Sequence, residues 1–85
     1  MFTTYILYSE QLNKFYIGFT SDSVNLRLQK HLANHKGFTA KAKDWLIVYT
    51  ENFNTKQQAM KREKQLKAWK SNVRLRELIR RSSTE

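Results

Sequence analysis

The stretch TTYILYSEQLNKFYIG, residues 3–18, predicts how the fold begins. It contains two runs rich in β-branched and aromatic residues, Thr3 to Tyr8 and Phe15 to Gly18, and the polar segment 9–13 lies between them. A polar connection of this length between two such runs is typical of a hairpin. We therefore predict two antiparallel strands at the start of the chain.

Two tyrosines, Tyr5 and Tyr16, stand one on each predicted strand. Because side chains alternate along a strand, Tyr5 shares a face with Leu7, and Tyr16 shares a face with Gly18. The register of the hairpin decides whether both phenols lie on the same face. If they do, they can contact one site.

An apolar stripe with helical spacing follows the hairpin. Its residues recur every four positions, at Val24, Leu28 and Leu32, after the candidate N-cap residues 21–23. This pattern predicts a helix from about residue 23 to 33, ended by the segment 35–37. Arg27 and His31 each stand one position from the stripe, so we expect them at its edge.

One strand and two helices complete the predicted fold. We predict a basic loop to Asp44, a strand at 45–51, a helix capped by Asn54 or Thr55 that runs to about Lys70, and a shorter helix capped by Ser71 or Asn72 that runs to about Arg80. The order β-β-α-β-α-α predicts an α+β fold with a small, mainly antiparallel three-stranded sheet flanked by helices. A chain of 85 residues is expected to form one domain, at 1–81, with a frayed tail at 82–85.

The charge of the chain favours a polyanionic partner. Sixteen Lys and Arg residues against seven Asp and Glu residues give a formal charge of +9, and ten of these cations lie in residues 55–85. Such an excess attracts nucleic acid. Cysteine is absent, which excludes disulfides and thiolate metal sites. No apolar run approaches the roughly 20 residues needed to cross a bilayer. We therefore expect a cytoplasmic protein that does not associate with a membrane.

Glu63 is the acid whose position suggests chemistry. It stands at helical spacing from Ala59, Met60 and Leu66, in the stripe that should face the sheet. An ionised carboxylate there costs several kcal/mol unless it is paired. A salt bridge to Lys67 at i+4 is one explanation, but it contributes only about 0.3–0.5 kcal/mol. The other is that Glu63 binds Mg²⁺ or Mn²⁺, because Mg²⁺ commonly takes one or two carboxylates together with water and phosphate oxygens.

Four further residues have suitable chemistry for a phosphodiester. Arg27 matches a phosphate clamp, since a guanidinium donates two parallel hydrogen bonds. His31 titrates near neutrality and can exchange protons, and His35 is a weaker copy of it. Tyr5 and Tyr16 can position or activate water. Each of these residue types also has an ordinary structural role at such positions.

Together these positions resemble the GIY-YIG nuclease superfamily. The second motif of that family stands intact as Tyr16-Ile17-Gly18, and the first is reduced to Thr3-Thr4-Tyr5. The spacing of Arg27 and His31 and the run 60–64 are similar to the small stand-alone bacterial members. Those proteins are often compared with the nuclease subunit of nucleotide-excision repair.

The resemblance implies an activity and a set of roles. It implies a divalent-metal-dependent endonuclease acting on nucleic acid, with DNA as the expected substrate and DNA repair as the expected setting. Tyr5 and Tyr16 would hold or deprotonate the attacking water, and either phenol can be the base. Arg27 would bind the scissile phosphate, His31 would assist, and Glu63 would hold the metal. The lysines expected to bind the nucleic acid are Lys41, Lys61, Lys64 and Lys67.

Two alternatives remain open at this point. The first is a basic nucleic-acid-binding module with a degenerate, inactive nuclease site. The second is a protein-interaction domain that presents Trp45 and Trp69 to a partner, although Trp69 ends a helical stripe and suits a core. The two alternatives predict no metal-dependent turnover.

Overall fold

The computed structural model describes residues 1–33 and 36–83, and three strands of this part form one antiparallel sheet. The strands are β1 (Phe2–Ser9), β2 (Lys14–Thr20) and β3 (Leu46–Phe53), in the sheet order β2-β1-β3. The helices are α1 (Val24–Ala33), α2 (Lys56–Trp69) and α3 (Asn72–Ser83), and a short 3-10 turn spans Phe38–Lys41. The predicted α+β fold and its order β-β-α-β-α-α are confirmed.

The register of the hairpin places both phenols on one face of the sheet. Tyr5 pairs with Gly18, and Leu7 pairs with Tyr16. Directly paired residues of an antiparallel ladder point to the same side. Tyr5 and Tyr16 therefore share the face that α1 covers.

The hairpin connection is held by an acid from elsewhere in the chain. Asn13 takes the left-handed conformation, with φ of 53°, which asparagine tolerates better than most residues. The Asp44 carboxylate accepts hydrogen bonds from Ser9 Oγ at 2.6 Å and from the Gln11 amide at 2.8 Å. These bonds, led by the one from Ser9, lower the pKa of Asp44. The segment before β3 thus fixes the turn between β1 and β2.

The sheet separates two apolar layers. On the α1 face the buried core consists of Tyr5, Leu7, Ala42 and Trp45. On the other face, under α2 and α3, it consists of Ile6, Ile17, Leu66 and Leu75. The alternation along β1 therefore sends odd-numbered side chains to one layer and even-numbered ones to the other, and a single strand supplies both cores.

The predicted caps of α2 and α3 are resolved by their hydrogen bonds. Thr55 caps α2, because its side chain accepts from the Gln58 amide while the Gln58 side chain accepts from the Thr55 amide. Lys70 ends α2 in the left-handed conformation, with φ of 50°. Ser71 Oγ then accepts from the Arg74 amide at 3.3 Å, which starts α3. That helix continues to Ser83, beyond the predicted end near Arg80.

Within the described residues, none of the helices has both the length and the apolar content needed to span a bilayer.

The predicted exposure of Trp45 is wrong. Its side chain is buried against Tyr5 and Leu7, and its indole N–H donates to the Thr39 carbonyl at 3.0 Å. Trp69 is half-buried against the other core, and the Arg74 guanidinium lies 4.3 Å from the centre of its ring. The protein-interaction alternative needed both tryptophans exposed, and Trp45 does not meet that premise.

Candidate active site

The ring of Tyr5 lies against the backbone of Gly18. A Cβ atom built on Gly18 would stand 2.7 Å from Tyr5 Oη and 2.8 Å from Tyr5 Cζ. Distances that short do not occur between real atoms of these types. The glycine is required here because any side chain would occupy the space of the Tyr5 phenol.

His31 joins Tyr5 to Thr39 through a chain of hydrogen bonds. His31 Nε2 lies 2.9 Å from Tyr5 Oη, and Nδ1 lies 3.1 Å from Thr39 Oγ1. Each hydroxyl can donate or accept, so the chain exists in two opposite directions of donation. The sequence pattern predicted His31 at the helix edge, but the residue is only 5% exposed. This prediction is wrong because the 3-10 turn that carries Thr39 closes over the end of α1.

The environment of His31 favours its neutral form. Burial lowers the pKa of His31, and the nearby positive charge of Arg27 lowers that pKa further. The imidazole is thus neutral at pH 7, and one ring nitrogen is free of a proton. It can act as a proton acceptor toward the hydroxyl it contacts.

Tyr5 lies where opposing electrostatic effects meet. Burial raises the pKa of Tyr5 most strongly, and the charges of Tyr16 and Glu63 raise that pKa further. The nearby Arg27 guanidinium opposes the rise. The net pKa is raised, so Tyr5 holds its proton in the resting site. Arg27 is the group that stabilises a negative charge on Tyr5 Oη whenever the proton leaves.

A cavity of about 340 Å³ opens beside the hydrogen-bonded residues His31 and Thr39. Its described lining residues are Tyr16, Arg27, Lys30, His31, Gly37, Phe38 and Thr39. They carry two cations, Arg27 and Lys30, and no carboxylate. The Tyr16 ring meets the His31 ring edge-on, with 4.9 Å between ring centres. Tyr5 itself is only 1% exposed, so a molecule in the cavity reaches Tyr16 more readily than Tyr5.

Glu63 approaches this cluster from the other layer of the fold. It lies on α2, the helix whose Leu66 packs beneath Ile6 and Ile17. Its side chain is only 18% exposed, and its carboxylate pairs with Lys67 Nζ at 3.2 Å. The salt bridge considered from the sequence is therefore formed. The same carboxylate is still close enough to Tyr5 to act on the pKa of that phenol.

The donor set fits a weakly chelated divalent cation. Across residues 1–33 and 36–83, no three or more His, Asp or Glu side chains cluster closely enough to hold a metal by themselves. Mg²⁺ does not need such a cage, because it binds through one or two carboxylates and fills its other positions with water and substrate phosphate. Glu63 is a single carboxylate whose partner, Lys67, has a mostly exposed side chain that can turn away.

The lysines predicted to bind nucleic acid lie at different distances from this cavity. Lys41 Nζ lies 5.3 Å from the centre of the ring of Phe38, one of the residues that line the cavity. Lys67 lines a second cavity, which shares Tyr16 and Phe38 with the first. Lys61 and Lys64 are exposed on the same helix as Lys67, toward its N-terminal end. Lys41 and Lys67 thus lie beside residues that line the cavities, whereas Lys61 and Lys64 are exposed elsewhere on α2, and the role of all four in binding nucleic acid stays a prediction.

Sequence reasoning missed three residues that line the cavity. Lys30 stands three positions after Arg27 on α1, and this helical spacing is a signal that could have identified it. Phe38 and Thr39 lie in a segment without periodicity, so no pattern marked them. His35, the second candidate histidine, lies outside the described residues.

Comparison with known proteins identifies the family. The sequence model of the family described as the GIY-YIG catalytic domain matches residues 1–76, which is most of the chain. This protein therefore belongs to the GIY-YIG family, a family of nuclease domains whose substrate is nucleic acid. No curated protein and no solved structure matches the chain. The nearer resemblance to the excision-repair subunit stays a prediction.

Proposed function

We propose that this protein is a divalent-metal-dependent endonuclease that hydrolyses phosphodiester bonds in DNA. One observation carries the proposal. Arg27 and Tyr16 line a cationic cavity, and His31, in the same cavity, is hydrogen-bonded on both sides to Tyr5 and Thr39. A cation for the phosphate and a proton acceptor for the water are thus side by side.

The phosphate binds to Arg27 and Lys30 in this proposal. Arg27 is half-buried, and its planar guanidinium can donate two hydrogen bonds to adjacent phosphate oxygens. Lys30 adds a second positive charge from the exposed side of α1. Removal of one electrostatic stabiliser of a developing negative charge typically costs about 10²- to 10³-fold in rate.

The attacking water is held by Tyr16, the phenol that the cavity exposes. The proton of this water passes to the hydrogen-bonded pair of Tyr5 and His31. His31 is neutral and can accept a proton, and Arg27 stabilises negative charge on Tyr5 Oη. Thr39 Oγ1 can accept a hydrogen bond from His31 Nδ1 or donate one to it, so the imidazole keeps its orientation as its charge changes. The new P–O bond forms as the bond to the leaving oxygen breaks, and the leaving oxygen takes a proton from solvent.

Glu63 is the residue that would hold the metal. A bound divalent cation would supply charge stabilisation to the leaving oxygen. For Glu63 to become a ligand, Lys67 must exchange the carboxylate for another partner, and a substrate phosphate is such a partner. The salt bridge and the metal site are therefore compatible as two states of one carboxylate.

A nicking assay tests the proposal. Supercoiled plasmid is incubated with the protein and Mg²⁺, Mn²⁺ or EDTA, and the variants are Glu63→Gln and Arg27→Gln. The matched controls are Glu77→Gln and Arg80→Gln, because Glu77 and Arg80 pair with each other on α3 in a similar helical ion pair. We expect metal-dependent nicking that falls at least about 10²-fold in the first two variants and persists in the controls. Full activity in Glu63→Gln and Arg27→Gln would refute the assignments.

The binding module with an inactive site has one observation in its favour, the pairing of Glu63 with Lys67 at 3.2 Å. If that pair never opens, the protein retains its cationic surface and loses the metal ligand. It would then bind DNA in a salt-sensitive way and cut it under no metal condition. Metal-dependent nicking by the parent protein excludes this alternative.

A further inference from the structure

Phe38 is an exposed aromatic ring that lies between two cavities. It is 39% exposed and lines both the cavity of Arg27 and the neighbouring one. Its ring centre lies 5.8 Å from that of the buried Trp45 and 6.1 Å from that of Tyr16, which it meets edge-on. With one side against Trp45 and Tyr16, the partly exposed ring presents a flat apolar surface to a ligand.

Cations from different parts of the chain surround this ring. Lys14 Nζ of β2 lies 5.8 Å and Lys41 Nζ of the 3-10 turn lies 5.3 Å from the Phe38 ring centre. Lys67 and Lys70, at the end of α2, line the neighbouring cavity. The attraction between an exposed lysine and a ring is weak, so a flat ligand can displace the ammonium groups. The displaced lysines would then be available to bind phosphates.

The neighbouring cavity has a mainly apolar lining and a volume of about 290 Å³. Its apolar walls come from Phe15 and Ile17 on β2 and from Leu66 and Leu75 of the layer beneath. Its described lining residues include no carboxylate. A strand with a flat apolar base and a charged backbone matches both features, whereas an acidic peptide would match only the charge.

We propose that Phe38 and this neighbouring cavity bind an unpaired nucleobase next to the scissile phosphate, so that the protein acts on single-stranded or locally unpaired DNA. The inference rests on the proposed nuclease function for the position of the phosphate. Tyr16 lines both cavities, so a base on Phe38 is directly adjacent to a phosphate held by Arg27. A base inside an intact duplex has both faces stacked and cannot use this surface. Aromatic rings combined with a cationic groove are the usual means of single-strand binding.

Binding experiments in EDTA test the base site without any need for turnover. The probes are a twelve-nucleotide oligothymidine, an all-abasic oligonucleotide of the same length and charge, and a duplex of the same length. We expect the full-length protein to bind oligothymidine about tenfold more tightly than the abasic strand, since stacking of one base has about this effect. Phe38→Leu should remove the difference, and Phe38→Trp should keep it.

Controls separate stacking from charge and from folding. Phe53→Leu replaces a half-buried phenylalanine at the end of β3, away from both cavities, and should leave the base preference unchanged. Replacement of Lys14 and Lys41 by Gln should lower affinity for all three probes. It should also make the plot of log affinity against log salt shallower, by roughly 0.7 in slope for each phosphate that a lysine no longer neutralises. Thermal unfolding of each variant shows that the fold is retained.

The outcomes distinguish this inference from the proposed function. Equal affinity for the oligothymidine and the abasic strand, or a base preference that survives in Phe38→Leu, would overturn the inference even if the protein nicks DNA. A base preference that depends on Phe38, together with no cutting under any metal, would support the base site and remove the nuclease proposal. With both intact, cutting of a flap or gapped substrate should exceed cutting of an intact duplex, and Phe38→Leu should lose that excess.

Discussion

Substitution of Gly18 by Ala should break the packing on which the site depends. The new Cβ would lie 2.7 Å from Tyr5 Oη, and this separation has to lengthen to at least 3.4 Å to be an ordinary one. Tyr5 cannot swing into solvent, because it is buried between the sheet and α1 and bonded to His31. The clash is therefore relieved only by movement of the strand or by loss of the Tyr5–His31 hydrogen bond.

The size of the effect follows from these two routes. Overpacking of a tight site typically costs about 1–3 kcal/mol, and a buried polar group left without its partner costs about 1–3 kcal/mol. The reduced entropy of the unfolded chain returns about 0.4–1 kcal/mol. Because either route relieves the clash, we expect a net loss of about 0.5–2.5 kcal/mol in the free energy of unfolding. For a domain of this size, each kcal/mol lowers the melting temperature by roughly 4–8 °C.

Urea unfolding of four proteins measures this coupling. They are the parent, Gly18→Ala, Tyr5→Leu and the double variant, all followed by circular dichroism. In the Tyr5→Leu background the alanine meets no phenol, so its cost should be smaller than in the parent by more than about 0.5 kcal/mol, the difference within which independent substitutions usually add. Equal stability of Gly18→Ala and the parent, or an equal cost of the alanine in both backgrounds, would refute this account of the packing.

Three further predictions concern stability. Leu66→Ala should lower the free energy of unfolding by about 2–5 kcal/mol because it opens a cavity under the sheet, whereas the exposed Val73→Ala should stay within about 0.5 kcal/mol, as urea midpoints will show. The parent should lose stability as the pH falls from about 6.5 through the lowered pKa of folded His31, because the unfolded chain binds that proton first. In pH-dependent melting, a His31→Gln variant should lose less stability over the same range. An equal loss in the variant would contradict the assignment. Asp44→Asn should lower the urea midpoint at pH 7 and make the loss of stability in acid less steep. The stability that comes from the lowered pKa of Asp44 is present above about pH 3.9 and is lost as the pH falls through the pKa of the folded protein. Unchanged melting in acid would reject this role of Asp44.

Most of the fold was accessible from local patterns. The two β-rich runs around the polar segment 9–13 predicted the hairpin. The cap candidates 54–55 and 71–72 predicted where α2 and α3 begin, and the structure selects Thr55 and Ser71. These features depend on neighbouring residues in the chain, such as a side chain that bonds an amide three positions later. Errors arose at Trp45 and His31, where burial depends on a segment that has no periodic pattern.

The candidate site was accessible in part, through residue types and spacing. The helical spacing of Glu63 from Ala59 and Leu66 predicted a mostly buried carboxylate, and its side chain is 18% exposed. The same spacing did not reveal that this acid approaches Tyr5 from the opposite layer of the sheet. That relation depends on how α2 packs under β1 and β2 rather than on the residues of α2.

The sequence by itself determined which side chains are available and on which element each one lies, because alternation in strands and periodicity in helices are local properties of the backbone. Only the tertiary structure decided that Tyr5 and Tyr16 share a face, that Gly18 makes room for the Tyr5 ring, and that Phe38 remains exposed beside them. The hydrogen bond between Tyr5 and His31 joins residues 26 positions apart. Bonds of that kind arise from the register of the strands and the packing of helices on the sheet, which short-range patterns do not encode.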